Sequence, residues 1–137
     1  MTVFRIEVMR RYGDLDPFGH INNVAYHDYL QEARVWVLVN VIGGQAEDID
    51  QVVARQEIAF LRPLRLRPDP ITVETWVSRV GGASYDFSYR ILDETGYTCA
   101  TAKTQVVFFD RPSESARRIP PQVRALLLEH LQESGDD

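Results

Sequence analysis

Asp14-Leu15-Asp16-Pro17-Phe18-Gly19-His20-Ile21-Asn22-Asn23, running on into Val24-Ala25-Tyr26-His27-Asp28-Tyr29-Leu30-Gln31-Glu32-Ala33-Arg34-Val35-Trp36-Val37, is the stretch whose reading decides the fold. Its first part is turn chemistry. Between Tyr12 and Gly19 the chain holds Gly13, Asp14, Asp16, Pro17 and Gly19, residues that fix φ, tolerate left-handed backbone or bond their own main chain. Its second part is a helix. Asn22 and Asn23 are N-cap candidates, and the helical pattern continues to about Val41, ended by Gly43 and Gly44. Tyr26, Tyr29, Leu30, Ala33, Trp36 and Val37 share one face, with His27, Asp28, Gln31 and Arg34 opposite. Past Val35 the pattern is apolar almost all round, which predicts burial on every side.

Outward from the helix, the chain reads as strands. Upstream, Phe4, Ile6, Val8 and Arg10 share one parity and are mostly apolar, while Val3, Arg5, Glu7 and Met9 share the other. That alternation predicts a strand with one buried face. Downstream, residues 52–61, 71–80, 84–92 and 97–109 are rich in β-branched and aromatic residues. Gly81-Gly82 and Asp93-Glu94-Thr95-Gly96 are hairpin joints, so the strands they connect are antiparallel neighbours. Pro120-Pro121 opens a final amphipathic helix with Val123, Leu126, Leu127 and Leu131 on its inner side. An apolar helix of about 20 residues is some 30 Å long. A single antiparallel sheet curled around it covers it. The expected class is α+β, a long helix wrapped by a meander.

Composition narrows what such a fold is for. The chain has 137 residues, 45% apolar and 26% charged, the balance of one soluble globular domain spanning residues 1–137. Its one cysteine, Cys99, excludes an internal disulfide and a Cys-rich zinc site. Fifteen basic against twenty acidic residues give a net charge of −5, which argues against a nucleic-acid binder or an anionic-membrane binder. Met1 to Arg10 lacks the apolar core of a signal peptide. The apolar run from Val35 to Gly44 is interrupted by Asn40 and covers about half of the ~20 residues of a membrane helix. A cytoplasmic location is the default, and the tail from Glu133 to Asp137 is expected to fray.

The densest cluster of reactive side chains lies in the Asp14–Asn23 segment, just before the helix. A helix start presents unpaired N–H groups and about half a positive charge, so it attracts anions and polarises carbonyls. A carboxylate close to such donors acts on a bound carbonyl as a general base or a nucleophile. At these residues the sequence resembles the hotdog-fold acyl-CoA thioesterases, in particular the 4-hydroxybenzoyl-CoA thioesterase-like branch with its Asp-Pro-x-Gly turn before the long helix. It is also similar to fatty-acyl thioesterases that carry His-Val-Asn-Asn there. The Asn22–Arg34 run and the Phe-Leu-Arg-Pro-Leu stretch from Phe60 to Leu64 fit the same families.

The resemblance implies a catalytic role for Asp16 and a helix start at Asn23 whose backbone N–H polarises the thioester carbonyl. It matches His20 to a histidine that assists catalysis or holds substrate, and Glu32 to an acidic position on the helix of plant acyl-carrier-protein thioesterases. Those plant enzymes carry Asn two residues after the Asp, where this chain has Phe18, so an Asp-plus-helix scheme is expected. No cofactor or metal is implied, because coenzyme A is part of the substrate and a thioester carbonyl is already electrophilic. The resemblance also implies a homodimer or homotetramer with each site shared between subunits.

Other residues have plainer readings. Asp14 is expected to bond within the turn, and Glu32 to pair with a neighbour such as Arg34 or Arg55. His27 and Asp28 are read as a solvated or interface face, and Cys99 as a small buried residue. Arg62, Arg65 and Arg67 form a basic cluster suited to the phosphates of coenzyme A. Arg111, Arg117 and Arg118 are a second such cluster. Two rival functions remain: a hotdog-fold enoyl-CoA hydratase and a non-catalytic acyl-binding module. The hydratase signature, Asp-x-Asn-Pro-x-His, sets its histidine five residues after the aspartate. Here Asp14 to His20 is six, and Asp16 stands at the Asn position.

Overall fold

Alternation and short joints build one antiparallel sheet. Its strands are β1 (Phe4–Val8), β2 (Asp50–Phe60), β3 (Ile71–Val80), β4 (Ser84–Leu92) and β5 (Thr98–Asp110), in the spatial order β1-β3-β4-β5-β2. A short β6 (Ser115–Ala116) pairs with β5. The computed structural model describes residues 2–43 and 50–132. β3 and β4 occupy the residues that alternation predicts, and the Asp93–Gly96 joint turns β4 into β5. Gly44 and the tail from Glu133 onward, named above as a helix stop and a fraying end, lie outside the described residues.

The helix α1 (Asn23–Val37) packs against β1 and β3 and continues into a π-helical turn, Leu38–Ile42. A second helix, α2 (Pro121–Glu129), buries Val123 and Leu127. From α1, Ala25, Tyr26, Tyr29, Leu30, Ala33 and Val37 face the core, where they meet Val73, Tyr85, Phe87, Tyr89 and Phe108. The Val, Leu and Phe side chains among these contribute roughly 1.5–3 kcal/mol each on burial. The architecture is the α+β hotdog arrangement, a curled sheet around a long helix. No helix among the described residues is long and apolar enough to cross a membrane.

Two expectations about α1 are corrected. The half beyond Val35 is not buried on every side: Val35 is 46% exposed, Trp36 43% and Val39 65%. An apolar residue type says that a surface prefers cover, not that this chain supplies it. Arg34, placed by its charge on the solvent side, is buried instead. Its position continues the buried stripe Tyr26, Leu30, Ala33 and Val37 at helical spacing, so geometry overrides polarity.

Candidate active site

Two loops and one helix end meet at the site. The first loop, residues 11–22, is fastened by Asp14. Its Oδ2 accepts hydrogen bonds from the Tyr29 hydroxyl (2.7 Å) and the Arg11 N–H (3.0 Å), and Arg11 Nη2 donates to Oδ1 at 3.0 Å. Burial alone would raise the Asp14 pKa, but these bonds and the Arg11 charge hold its carboxyl below the usual range. Burial and the bond to Asp14 push the Tyr29 phenol far up. The Asp14 carbonyl accepts the Asn22 N–H at 2.7 Å, so Asp14 also sets where the helix begins. The turn role expected for Asp14 is what it performs.

Asp16 sits at the head of a tight loop. Its Oδ1 accepts the N–H groups of Phe18 (2.8 Å) and His20 (3.0 Å), and its own N–H donates to the His20 carbonyl at 2.8 Å. Gly19 takes φ +83°, a backbone state that glycine adopts without strain, and its N–H donates to the Asp16 carbonyl at 3.2 Å. Asp16 Oδ2 has no partner among the described residues and remains available. Leu15 and Ile21 pair across the neck of this loop.

Of the two cap candidates, Asn22 is the cap: its Oδ1 accepts the Val24 N–H at 2.9 Å. Asn23 is the first helical residue, and its N–H has no partner among the described residues. It is an orphan donor at the positive end of α1.

The second loop, residues 61–67, is zipped to the first. The Ile21 N–H donates to the Leu64 carbonyl at 2.9 Å, and His20 bridges Arg65. The Leu64 N–H donates to the Tyr26 hydroxyl at 3.3 Å. Arg62, Arg65 and Arg67 therefore come together, lining a recess of about 180 Å3 with Asp93, Glu94 and Thr95 opposite. Arg62 lies 4.2 Å over the Tyr97 ring.

A fourth arginine belongs to this recess although it stands far from the cluster in sequence. Arg10 is buried, donates to the carbonyls of Arg65 and Asp69 at 2.8 and 2.7 Å, and pairs with Glu94 at 2.9 Å. Its parity with Phe4, Ile6 and Val8 on the inward face of β1 was the available signal. Arg10 Nε is sealed from solvent without a partner.

The remaining candidates fall elsewhere. His27 bonds Gln56 at 2.6 Å, and Asp28 is reached by Arg11 at 3.5 Å. Glu32 forms neither expected pair, because Arg34 turns inward and Arg55 pairs with Glu57 at 3.3 Å. It lines a 470 Å3 recess between β1 and α1, beside Glu7, Met9 and Arg11. Cys99 is buried and its thiol is pushed up by burial. Arg111 pairs with Asp50 at 2.7 Å, at the far end of the β2–β5 ladder from Phe60 and Ala100. That second arginine cluster lies roughly 30 Å along the strands from the first. Among the described residues no group of three or more His, Cys, Asp or Glu side chains is arranged to hold a metal ion. Asp16, His20 and Asn23 line neither recess.

Loop, capped helix and curled sheet together define a class. A family model described as the thioesterase-like superfamily matches residues 11–127, and the chain belongs to that hotdog-fold family of thioester hydrolases. It is 31% identical over 117 residues to the long-chain acyl-CoA thioesterase FadM of Escherichia coli, covering 82% of this chain and 88% of that protein. A Thermus thermophilus thioesterase solved in complex with coenzyme A and zinc superposes with TM-score 0.79 at 27% identity, covering 90% of this chain and 95% of that one. A thioesterase-superfamily structure from a Jannaschia species reaches TM-score 0.86 at 22% identity, covering 96% and 94%, a likeness of fold alone.

Proposed function

We propose that this chain hydrolyses acyl-coenzyme A thioesters, fatty or aryl, to the free acid and coenzyme A. The observation that carries the reading is the pairing of a fixed carboxylate with an orphan donor. Asp16 Oδ1 is held by two backbone N–H groups while Oδ2 is free, and the unpartnered Asn23 N–H opens α1 seven residues later. The thioester carbonyl oxygen accepts from Asn23 N–H, whose help as charge builds on that oxygen is worth on the order of 10²–10³ in rate. Asp16 either takes a proton from a water that adds to the carbonyl carbon, or attacks that carbon itself to give a mixed anhydride that water then hydrolyses. In both routes the C–S bond breaks and coenzyme A leaves as the thiol. His20, beside it, positions substrate.

Arg62, Arg65 and Arg67, with Arg10 behind them, bind the phosphates of coenzyme A. No cofactor is needed, since the site supplies both the base and the carbonyl-polarising donor. Asp16, His20 and Asn23 lie outside both recesses described above. This fits a homodimer or homotetramer in which a second copy covers Val35, Trp36 and Val39 and walls the site. The single domain works in the cytoplasm.

The test is thiol release from a panel of acyl-coenzyme A substrates. Wild-type protein hydrolyses at least one class, and Asp16→Asn loses roughly 10²–10⁴ in kcat. Unchanged hydrolysis in Asp16→Asn would remove Asp16 from the reaction. Water addition to an enoyl thioester without thiol release would favour the hydratase instead.

A further inference from the structure

Arg34 is 9% exposed and has no carboxylate partner among the described residues. Its Nη1 donates to two neutral acceptors, Gln56 Oε1 and the Tyr89 hydroxyl, each at 3.2 Å. Those acceptors are tied down in turn. The Thr104 hydroxyl donates to Gln56 Oε1 at 2.6 Å, and the Tyr89 hydroxyl donates to Thr104 Oγ1 at 2.8 Å. Arg34 therefore sits in a preorganised polar nest on the inner face of the sheet, held on one side only.

The other side of the guanidinium is its fork. Nε and Nη2 are the two nitrogens whose N–H groups run parallel and meet a carboxylate bidentately. Neither has a protein partner among the described residues. Neither is among the sealed, unpartnered nitrogens, which are Arg10 Nε and Trp76 Nε1, so this edge keeps access to solvent. A buried charge with neutral neighbours is costly unless something completes it.

The position of the fork suggests what does. α1 packs against β1 and β3, while its seam with β2 is crossed by side chains: Gln56 to His27 and Arg34, and Phe60 edge-on to Tyr26 at 4.9 Å. Arg34 lies eleven residues beyond Asn23, about 16 Å along the helix axis. Its side chain leans back toward the helix start. A chain of that span, anchored by its thioester at Asn23 and passing outside the Gln56–His27 contact, brings its far end to Arg34.

We propose that the Arg34 fork, backed by Gln56, Tyr89 and Thr104, binds a carboxylate at the far end of the acyl chain, so that the preferred substrates are ω-carboxyacyl thioesters, the monothioesters of dicarboxylic acids. The proposal rests on the thioesterase reading and specifies its substrate class. A methyl-ended chain of the same length leaves the fork unpaired. A carboxylate there makes charge-assisted hydrogen bonds worth roughly tenfold to a hundredfold in kcat/KM.

The experiment compares kcat/KM for matched series of ω-carboxyacyl- and methyl-ended acyl-coenzyme A substrates of increasing length. The wild type prefers the carboxylate at one span and not at shorter ones, and Arg34→Gln removes that preference. Arg34→Lys, which keeps charge but loses the fork, retains only part of it. Hydrolysis of methyl-ended substrates with no preference for the carboxylate at any length would overturn this inference and leave the thioesterase reading standing. That result needs only wild-type protein, so it is decisive even if Arg34 variants fold poorly. No hydrolysis of any thioester would overturn both.

Discussion

The Asp16 loop and the Asp93 turn are the same piece of local structure used twice. In each, one carboxylate oxygen accepts the N–H groups two and four residues on: Phe18 and His20 from Asp16, Thr95 and Tyr97 from Asp93. In each, the aspartate N–H donates to the carbonyl four residues on, at 2.8 and 3.0 Å. Each has glycine at the fourth position, with φ +83° at Gly19 and +86° at Gly96. Asp93 carries one further bond, from the Thr95 hydroxyl at 2.6 Å, and its hydrogen bonds hold its carboxyl low against the opposing effect of burial. What separates the two is where the chain goes next. After Asp93 it enters β5, and after Asp16 it enters the capped, positive end of α1. In the proposed reaction the loop fixes the carboxylate and the helix start holds the carbonyl on which it acts.

The largest effect that breaks this comparison is on turnover. Asp16→Asn is expected to lower kcat by roughly 10²–10⁴, while Asp93→Asn leaves the chemical step intact and changes kcat by less than about tenfold, both read by thiol release. A smaller effect isolates Asp14, which fastens the loop without facing substrate. Asp14→Asn is expected to cost about 1–3 kcal/mol in denaturant unfolding, because it weakens the acceptor of the buried Tyr29 hydroxyl. The pH dependence follows from the depressed folded pKa. The contribution of ionised Asp14 is present above its unfolded value near about pH 4 and is lost as pH falls through the lower folded value. The variant should therefore lose stability less steeply than wild type in acid. Smallest and most symmetric are the glycines. Gly19→Ala and Gly96→Ala should each cost about 1–2 kcal/mol for the positive φ, by thermal melting, but only Gly19→Ala should also lower kcat.

Much of this was legible in the sequence, and the failures have physical causes. The bounds of β3 and β4 could be read because alternation and a glycine joint mark them, whereas the register shift between Val77 and Arg79 has no such mark. The Asp16 loop could be read because Pro17 fixes φ and Gly19 permits the positive φ that the turn needs. Arg34 could not be read by its charge, although its spacing from Tyr26 and Leu30 placed it on the buried stripe. Arg10 was hidden in the same way on the inward parity of β1. Trp36 and Val39 were misjudged because residue type reveals a surface that wants covering and not which molecule covers it. Glu32 lost its expected partners because the fold turns Arg34 inward and pairs Arg55 with Glu57.

The most direct measurement is a crystal structure with a non-hydrolysable thioester analogue of an acyl-coenzyme A. The account predicts the carbonyl oxygen of the analogue about 2.7–3.1 Å from the Asn23 N–H, with Asp16 Oδ2 facing the carbonyl carbon or a water beside it. A carbonyl bound away from the start of α1, or an Asp16 carboxylate turned from it, would contradict the account.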